Sequence, residues 1–162
     1  MVLEDRICEL EDIDAILQAK ARFVERFDEI VNARSTFVSL DELTTEDVVW
    51  ESGHFGVARG RHQFHELLER YRSRVAFSLQ FLAGHDVQVQ GGRESALGDW
   101  TVWQPLTLDR QPWIMAGRFH DSFVRCDEQW RINHVRLTEA VLAPWDTGWH
   151  EPLVSPEWPD TL

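Results

Sequence analysis

The sequence predicts an α+β domain in which helices come first and a curved antiparallel sheet follows. Two segments, 9–31 and 61–74, carry apolar residues at the spacing of an amphipathic helix. From Phe77 onward the apolar period changes to two, which is typical of half-buried strands. Because helices and strands are segregated along the chain, the pattern favours an α+β architecture over a parallel sheet built from βαβ units.

The first half of the chain is predicted to contain both long helices. In segment 9–31 the apolar residues form one narrow stripe, and acidic and arginine residues fill the opposite face. A short helix or turn is predicted over 36–46, with Ser39 as its N-cap and Glu42 as the capping-box partner. Segment 47–51 is predicted as a short strand, and a loop marked by glycines leads into the second long helix.

The second half is predicted to be a meander of strands. The four long strands are expected at 77–89, 94–104, 113–125 and 130–142. Ala83–Gly84 indicates a bend in the first of them, and Gly91–Gly92 indicates a hairpin turn. The tail 144–162 is rich in proline and tryptophan and is expected to run extended along the body. All 162 residues are expected to form a single domain, 1–162.

Composition and charge exclude several classes of partner. The net charge is −12, and such an acidic chain is unsuited to a phosphate backbone or an anionic membrane surface. No apolar run approaches the ~20 residues of a membrane span, and the acidic N-terminus lacks the apolar region of a signal peptide. The two cysteines, Cys8 and Cys126, are too few for a disulfide framework. We therefore expect a cytoplasmic protein with free thiols that binds neither nucleic acid nor membranes.

Several short motifs occur in a characteristic order along the chain. They are Thr45–Trp50 (TEDVVW), Gly60–Arg61, Gly117–Phe123 (GRFHDSF), Trp130–Ile132 (WRI), Arg136–Thr138 (RLT) and Gly148–Trp149. Together they resemble the SnoaL-like branch of the NTF2-like superfamily, over about residues 10–150. The resemblance implies a cone in which N-terminal helices pack on the curved sheet and enclose an apolar pocket.

The superfamily includes several kinds of function, so the resemblance leaves the function open. Its scytalone dehydratases, polyketide cyclases and hexachlorocyclohexane dehydrochlorinases imply a cofactor-independent lyase or isomerase. Such an enzyme would act on a small hydrophobic molecule, aromatic or polycyclic. Its other members imply a non-catalytic ligand-binding or assembly module, or a structural protein like the small subunit of a ring-hydroxylating dioxygenase. No cofactor is expected, and no set of residues has the spacing of a metal site.

Lys20 is the only lysine in the chain and lies near the centre of the apolar stripe of the first helix. A buried ammonium is costly unless it is paired or hydrated, and burial lowers its pKa toward the range useful for catalysis. Lys20 is therefore either a catalytic residue in the pocket or a cation that reaches solvent or neutralises a buried carboxylate. The resemblance adds Glu25 and Asp28 as catalytic candidates, because its members place acids at this spacing after a polar pocket residue.

A histidine base is missing where the resemblance implies one. The base of the related enzymes falls at or next to Phe81, and no histidine is there. Glu139 is an alternative base, because it ends the inward face of the last strand and would lie in an apolar pocket. Among the histidines, His54 lies in a glycine-rich loop placed to cover the pocket. His120 and His134 are expected on the outer face of the sheet.

Large apolar residues are predicted to line the pocket. The predicted substrate-binding residues are Trp50, Phe77, Phe81, Trp100, Val102, Met115, Phe119, Val135 and Glu139. The same residues would also fill a cone without a cavity, so both interpretations stay open. The outer face of the sheet predicts a homo-oligomer, a dimer or a trimer, with Phe123, Trp103, Trp113 and Ile132 at the contact.

Overall fold

The computed structural model describes residues 2–32, 39–148 and 152–159. Within these ranges two long helices, α1 (Leu3–Val31) and α2 (Arg61–Arg74), pack against one seven-stranded sheet. The strands are β1 (Thr44–Ser52), β2 (Gly56–Arg59), β3 (Val75–Ser78), β4 (Phe81–Val89), β5 (Ser95–Leu108), β6 (Gln111–Cys126) and β7 (Gln129–Pro144). A turn of 3₁₀ helix, Gly91–Arg93, lies between β4 and β5.

The sheet is mixed rather than purely antiparallel. Its strand order is β2-β1-β7-β6-β5-β3, and β3 and β4 pair with successive parts of β5. All these pairs are antiparallel except β1 with β7, which run parallel. The predicted α+β fold class is confirmed, and the β1–β7 pair is its one departure from an antiparallel sheet.

Helix α1 lies across the sheet and supplies one wall of the core. It contacts β3, β4 and β7, and its predicted apolar stripe is buried. Phe23 stacks on Phe64 of α2 with ring centroids 6.3 Å apart, and Phe27 stacks on Trp50 of β1 at 5.8 Å. Each such side chain contributes roughly 1.5–3 kcal/mol through burial. The aromatic core thus holds both helices against β1.

Helix α1 begins at Leu3 rather than at residue 9. Most of the side chains of the added turns are exposed, so the apolar period that marks the rest of the helix is absent there. Glu4 and Asp5 lie in the first turn, where negative charge interacts favourably with the helix dipole.

The segment predicted as a helix or turn, 36–46, lies partly outside the described residues. Its last three residues, 44–46, belong to β1, in which Thr44 pairs with Ile132 of β7. Ser39 Oγ accepts a hydrogen bond from the backbone N–H of Asp41, whereas Glu42 forms an ion pair with an arginine of α1. The described part is therefore a turn followed by strand, and no capping box forms there.

The strand predicted over 77–89 is divided in two. β3 ends at Ser78 and β4 begins at Phe81, and the pairing of each with β5 contains an irregularity. The bend predicted at Ala83–Gly84 is confirmed as one of these irregularities. A register shift of one residue turns the adjoining side chains to the other face of a sheet.

The described part of the tail, 152–159, packs against the body. Val154 forms a parallel bridge with Leu142 of β7. The Trp158 ring stands edge-on to Phe55 and Trp113, with centroid distances of 5.0 and 5.1 Å. The tail therefore covers the end of the sheet where the β1–β2 hairpin lies.

Two simpler expectations concern the thiols and the membrane. Cys8 and Cys126 are both free thiols, as predicted. In the three ranges that the structure describes, no helix is long and apolar enough to cross a membrane.

Candidate functional site

Lys20 is sealed in the core. Its Nζ lies 2.7 Å from Oδ2 of Asp121 on β6, and both side chains are 0% exposed. The Phe119 ring centroid lies 3.6 Å from Nζ, and those of Phe23 and Trp100 lie at 5.3 and 5.4 Å. These rings add cation–π attraction to the ion pair. None of the cavities described below includes Lys20 in its lining.

Burial opposes the charge on both members of this pair. It lowers the pKa of Lys20, while the charge and hydrogen bond of Asp121 act in the opposite direction. Burial likewise raises the pKa of Asp121, against the effect of the Lys20 charge. Lys20 therefore neutralises a buried carboxylate, which is the structural one of its two possible roles. Its catalytic role stays a prediction that these surroundings do not favour.

Asp28 lies at the centre of a buried hydrogen-bond network near the end of α1. Its carboxylate accepts hydrogen bonds from Ser78 Oγ at 2.8 Å and from the backbone N–H and Nε2 of Gln80 at 2.7 and 3.2 Å. Gln104 Nε2 donates to Ser78 Oγ at 2.8 Å and to the Tyr71 hydroxyl at 3.1 Å. Because buried polar groups are costly unless hydrogen-bonded, the network fixes the position of all these side chains.

This network forms one wall of an internal cavity. The cavity has a volume of about 10 Å³, which is room for about one water molecule. The polar groups of its otherwise aromatic and aliphatic lining are two amides, one hydroxyl and the Trp50 indole N–H, which has no hydrogen-bond partner among the described residues. The lining residues are Phe27, Trp50, Phe55, Leu67, Tyr71, Gln80, Gln104 and Leu137. Apolar walls with a few fixed polar groups are typical of small-molecule sites.

The Tyr71 hydroxyl keeps its proton in this environment. Burial raises its pKa, hydrogen bonds with Gln104 and Ser78 act in the opposite direction, and the charge of Asp28 adds to the rise. A neutral hydroxyl beside a cavity can donate a hydrogen bond to a ligand oxygen on which negative charge develops.

Gln80 separates the internal cavity from a groove on the surface. It lines both the cavity and the groove, which has a volume of about 830 Å³ and runs between α1 and the β3–β4 connection. Glu25 is exposed and lines the groove together with Asp28, which is buried. Gln80 directly precedes Phe81, where the resemblance implies a histidine base. An amide is not a titratable base, so Gln80 cannot replace that histidine in proton transfer.

A second polar cluster lies next to the cavity along the strands. Glu139 Oε1 accepts a short hydrogen bond from Ser52 Oγ, and Glu139 Oε2 lies 3.3 Å from Nδ1 of His54. Ser52 Oγ also accepts hydrogen bonds from the backbone N–H groups of His54 and Phe55, at 3.2 and 2.8 Å. Ser52 pairs in register with the cavity residue Leu137. The cluster therefore adjoins the cavity through the Ser52–Leu137 pair of β1 and β7.

The pattern of the whole chain identifies its family. The SnoaL-like domain matches residues 8–136. The chain belongs to the SnoaL-like family. A search of curated proteins finds no significant match for it.

Solved structures share the SnoaL-like fold with this chain at low sequence identity. A protein of Novosphingobium aromaticivorans assigned as a scytalone dehydratase has a TM-score of 0.72 and 17% identity, over 92% of this chain and 95% of that one. A protein of the same organism assigned as an aromatic ring hydroxylase has a TM-score of 0.73 and 17% identity, over 83% and 94%. A hexachlorocyclohexane dehydrochlorinase has a TM-score of 0.70 and 14% identity, over 90% and 97%. These likenesses show the NTF2-like fold.

Most of the predicted pocket residues lie in the core of this SnoaL-like domain. Six are at most 4% exposed: Trp50, Trp100, Val102, Met115, Phe119 and Val135. The inward placement of Phe77 and Phe81 is wrong, because 37% and 53% of their surfaces are exposed. Phe77 adjoins the irregularity in the β3–β5 register, and Phe81 follows the break between β3 and β4 and pairs with the exposed Trp103, so a strict period of two does not hold there.

The predicted subunit contact also needs correction. Three of the four predicted contact residues are at most 3% exposed and belong to the core. Phe123 and Trp113 lie on the inward face of β6, and Ile132 is buried in β7. Trp103 alone of the four is exposed, at 38%. His120 lies on the outer face as predicted, where it contacts Asp99.

Several buried polar residues are not predicted as site residues from the sequence. In the sequence, Tyr71 belongs to the apolar stripe of α2, and Ser52 lies at the end of a strand. Gln104 and Asp121 are polar residues at inward positions of strands with alternating burial. That interruption of the apolar pattern is the signal by which both could be found.

Proposed function

We propose that this SnoaL-like protein is a cofactor-independent lyase or isomerase that removes a proton from a small hydrophobic molecule in the internal cavity. The cavity carries the proposal, because aromatic walls meet a small set of fixed polar groups there. The family supports this class of chemistry, since two of the similar structures belong to proteins described as a dehydratase and a dehydrochlorinase.

Tyr71 and Gln80 would hold a substrate oxygen, and Gln104, which donates to Ser78 and to the Tyr71 hydroxyl, would fix that hydroxyl in position. Loss of a proton from a carbon next to a carbonyl, or from a phenol, leaves negative charge on oxygen. The protonated Tyr71 hydroxyl would donate a hydrogen bond to that oxygen, and one such donor typically contributes about 10²–10³-fold to the rate. Asp28 holds Gln80 in place, and its negative charge helps to keep the Tyr71 proton.

The aromatic lining of the cavity favours an aromatic substrate. Phe27 and Trp50 stack with an interplanar angle of 16°, and Phe55 faces Tyr71 with centroids 5.6 Å apart. The space between them must widen to hold an aromatic ring. We propose that substrates reach it from the surface groove by displacing the Gln80 side chain. Lys20 then has a structural role, and Glu25 lies at the mouth of this route.

The compound 5-nitrobenzisoxazole tests this function directly. It is a flat aromatic that loses one carbon-bound proton as its N–O bond breaks, giving a coloured phenolate without any cofactor. We expect the purified protein to accelerate this reaction. Tyr71→Phe should lower kcat/KM by about 10²-fold, because charge develops on the phenolate oxygen. Thr101→Val removes an exposed hydroxyl elsewhere on β5 and should not change the rate.

A non-catalytic ligand-binding module is the second candidate. It is favoured by Gln80, which stands beside Asp28 where the resemblance implies a base, and by Lys20, whose charge is neutralised. It predicts that 2-naphthol quenches the tryptophan fluorescence of the protein while 5-nitrobenzisoxazole is not consumed. Turnover by the purified protein, lost in Tyr71→Phe, would exclude it.

A structural subunit of a ring-hydroxylating enzyme is the third candidate. A protein of similar fold is assigned as an aromatic ring hydroxylase. This alternative predicts that the chain is poorly soluble without a partner chain. A well-behaved assembly of identical chains would count against it.

A further inference from the structure

The cluster of Ser52, His54 and Glu139 holds a carboxylate that is almost completely buried. The Glu139 side chain is 4% exposed, and each of its oxygens faces one partner, Ser52 at Oε1 and His54 at Oε2. A buried carboxylate is costly unless it is paired or hydrogen-bonded, so two partners at this position indicate a built arrangement.

The Ser52 hydroxyl is fully used in positioning. It donates to Glu139 and accepts from the backbone N–H groups of His54 and Phe55. These bonds hold the first turn of the β1–β2 hairpin against β7. Ser52 is therefore a positioning residue rather than a nucleophile, although serine, histidine and glutamate lie together here.

The contact with Glu139 determines which ring nitrogen of His54 can act as a base. A carboxylate beside Nδ1 favours the tautomer in which Nδ1 carries the proton, and the lone pair is then on Nε2. Nδ1 and Oε2 are 3.3 Å apart and not aligned as a hydrogen bond, so Nδ1 is buried without a hydrogen-bond partner among the described residues. Catalytic pairs are often poorly aligned without substrate. His54 is 34% exposed, so its ring is held by Glu139 on one side and is accessible on the other.

The backbone of His54 is fixed from two directions. The indole Nε1 of Trp158 donates to the His54 carbonyl at 3.2 Å, and the Trp158 ring packs on Phe55. Gly56 closes the hairpin with a φ of 87°, which favours glycine. The residue after His54, Phe55, lines the cavity, and so does Leu137, two residues before Glu139 on the same face of β7. The His54–Glu139 pair therefore adjoins, along both chain segments, residues that line the cavity.

On the basis of the function proposed above, we propose that His54 is the catalytic base and that Glu139 is its positioning residue. His54 Nε2 takes a proton from a substrate carbon. The C–H electron pair forms the new double bond, and in a lyase the leaving group departs with its own bonding pair. In an isomerase the enolate is reprotonated at a second carbon. Tyr71, on the polar wall of the same cavity, donates to the oxygen that carries the charge.

Activity of point variants tests the base. With 5-nitrobenzisoxazole, the base takes the ring C–H proton, the C–H pair completes the nitrile, and the N–O pair leaves on the phenolate oxygen. We expect His54→Gln and Glu139→Gln each to lower kcat/KM by about 10²-fold. His62→Gln is the matched control, because His62 forms an exposed contact with Glu66 on α2 and should leave the rate unchanged. Far-UV circular dichroism and melting temperature verify folding.

The outcomes separate the base from the function as a whole. Wild-type turnover that survives in His54→Gln but is lost in Tyr71→Phe would overturn the role of His54 and leave the proposed function standing. If 2-naphthol quenches the tryptophan fluorescence of the wild-type protein but the protein does not consume 5-nitrobenzisoxazole, both the proposed enzymatic function and the catalytic role of His54 are overturned.

The positioning role of Glu139 has a test that needs no substrate. Long-range ¹H–¹⁵N NMR at a pH where the ring is neutral distinguishes the two imidazole tautomers. We expect the Nδ1–H tautomer of His54 in the wild-type protein and a mixture with Nε2–H in Glu139→Leu, which removes the acceptor. An Nε2–H tautomer in the wild type, or no change in the variant, would overturn the pairing.

Discussion

The position of Lys20 in the sequence predicts part of its surroundings in the structure. Its position on the apolar stripe predicts burial, because the helical period alone decides which face of α1 turns inward. Its partner, Asp121, lies on β6 and comes close only when the sheet curls around α1. The choice between a catalyst and an ion pair depends on that partner, so it could not be made from the helix alone.

Replacing Lys20 by Met should lower the free energy of unfolding by about 3–5 kcal/mol, because Asp121 would stay buried without its counter-charge. The double variant Lys20→Met/Asp121→Leu should recover most of that loss, since apolar replacements of buried ion pairs are often neutral or stabilising. Urea unfolding measures both differences. Arg22→Met, at an exposed position of the same helix, is the control. A single variant as stable as the wild type would contradict the ion pair.

At the scale of elements, α1 is tied to the sheet near both of its ends. Asp12 accepts hydrogen bonds from Arg125 at 2.8 Å, from the Trp130 indole at 3.1 Å and from Arg93 at 2.5 Å. Near the other end, Asn32 exchanges two hydrogen bonds of 2.8 Å with the backbone of Ser78. These ties fix the helix over the core and thereby set the wall of the cavity.

The Asp12 tie should be sensitive to acid. Burial raises the pKa of Asp12, but hydrogen bonds from Arg93 and Trp130 and the charges of Arg93 and Arg125 outweigh it, so the pKa is lowered. The stabilisation is therefore present above the unfolded-state pKa of about 4 and is lost as the pH falls through the lower folded-state value.

Asp12→Asn should cost about 2 kcal/mol of unfolding free energy at pH 7, because hydrogen bonds to a charged acceptor are lost. The difference in unfolding free energy between this variant and the wild type, measured by urea unfolding, should decrease as the pH is lowered from about 5 to 3. Asp14→Asn, at an exposed position of α1, is the control and should show no such convergence. A difference in unfolding free energy that stays constant with pH would contradict the role of the Asp12 charge.

The elements themselves are well predicted where burial follows a period. The end of α1, the whole of α2 and the turns between β4 and β5 and between β6 and β7 agree with the sequence. The loop predicted between 104 and 113 is wrong, because β5 continues to Leu108 and β6 begins at Gln111. Prediction is poorer where no burial marks the structure, as in the exposed start of α1, and where a strand is irregular. Strict alternation predicts Phe77 and Phe81 inward, whereas the register shift in β3 and the break between β3 and β4 put them outside.

The candidate site is less predictable than the fold for a geometric reason. Tyr71 comes from α2, Gln104 from β5, His54 from the turn between β1 and β2, and Glu139 from β7, which pairs with β1 in parallel. Each is unremarkable among its sequence neighbours. The sequence predicts Glu139 as an inward acid at the end of a strand, whereas it predicts His54 only as part of a loop.

At the scale of the whole molecule, the outer face of the sheet is the surface that predicts a homo-oligomer. Phe81 and Trp103 form a cross-strand pair there and are 53% and 38% exposed. His134 and Arg136 pair with Glu51 further along the same face. An apolar pair beside compensated charges is the composition of a subunit contact, an apolar centre with a polar rim.

Trp103→Glu should therefore shift the protein from a dimer or trimer to a monomer, because it would bury a charge in the contact. Light scattering coupled to size-exclusion chromatography measures the mass. Leu10→Glu changes an apolar residue of α1 that is 64% exposed and should leave the mass unaltered. A wild-type protein that is already monomeric would contradict the predicted assembly.

The solitary lysine gives this chain an internal reporter. A lysine-specific endoprotease has one cleavage site in the sequence, after Lys20, and that bond is closed to it while α1 covers the core. Each cut would thus record a moment when the helix has come away from the sheet. Where reclosing is faster than cleavage, the cutting rate gives the free energy of that opening, without any label added to the protein.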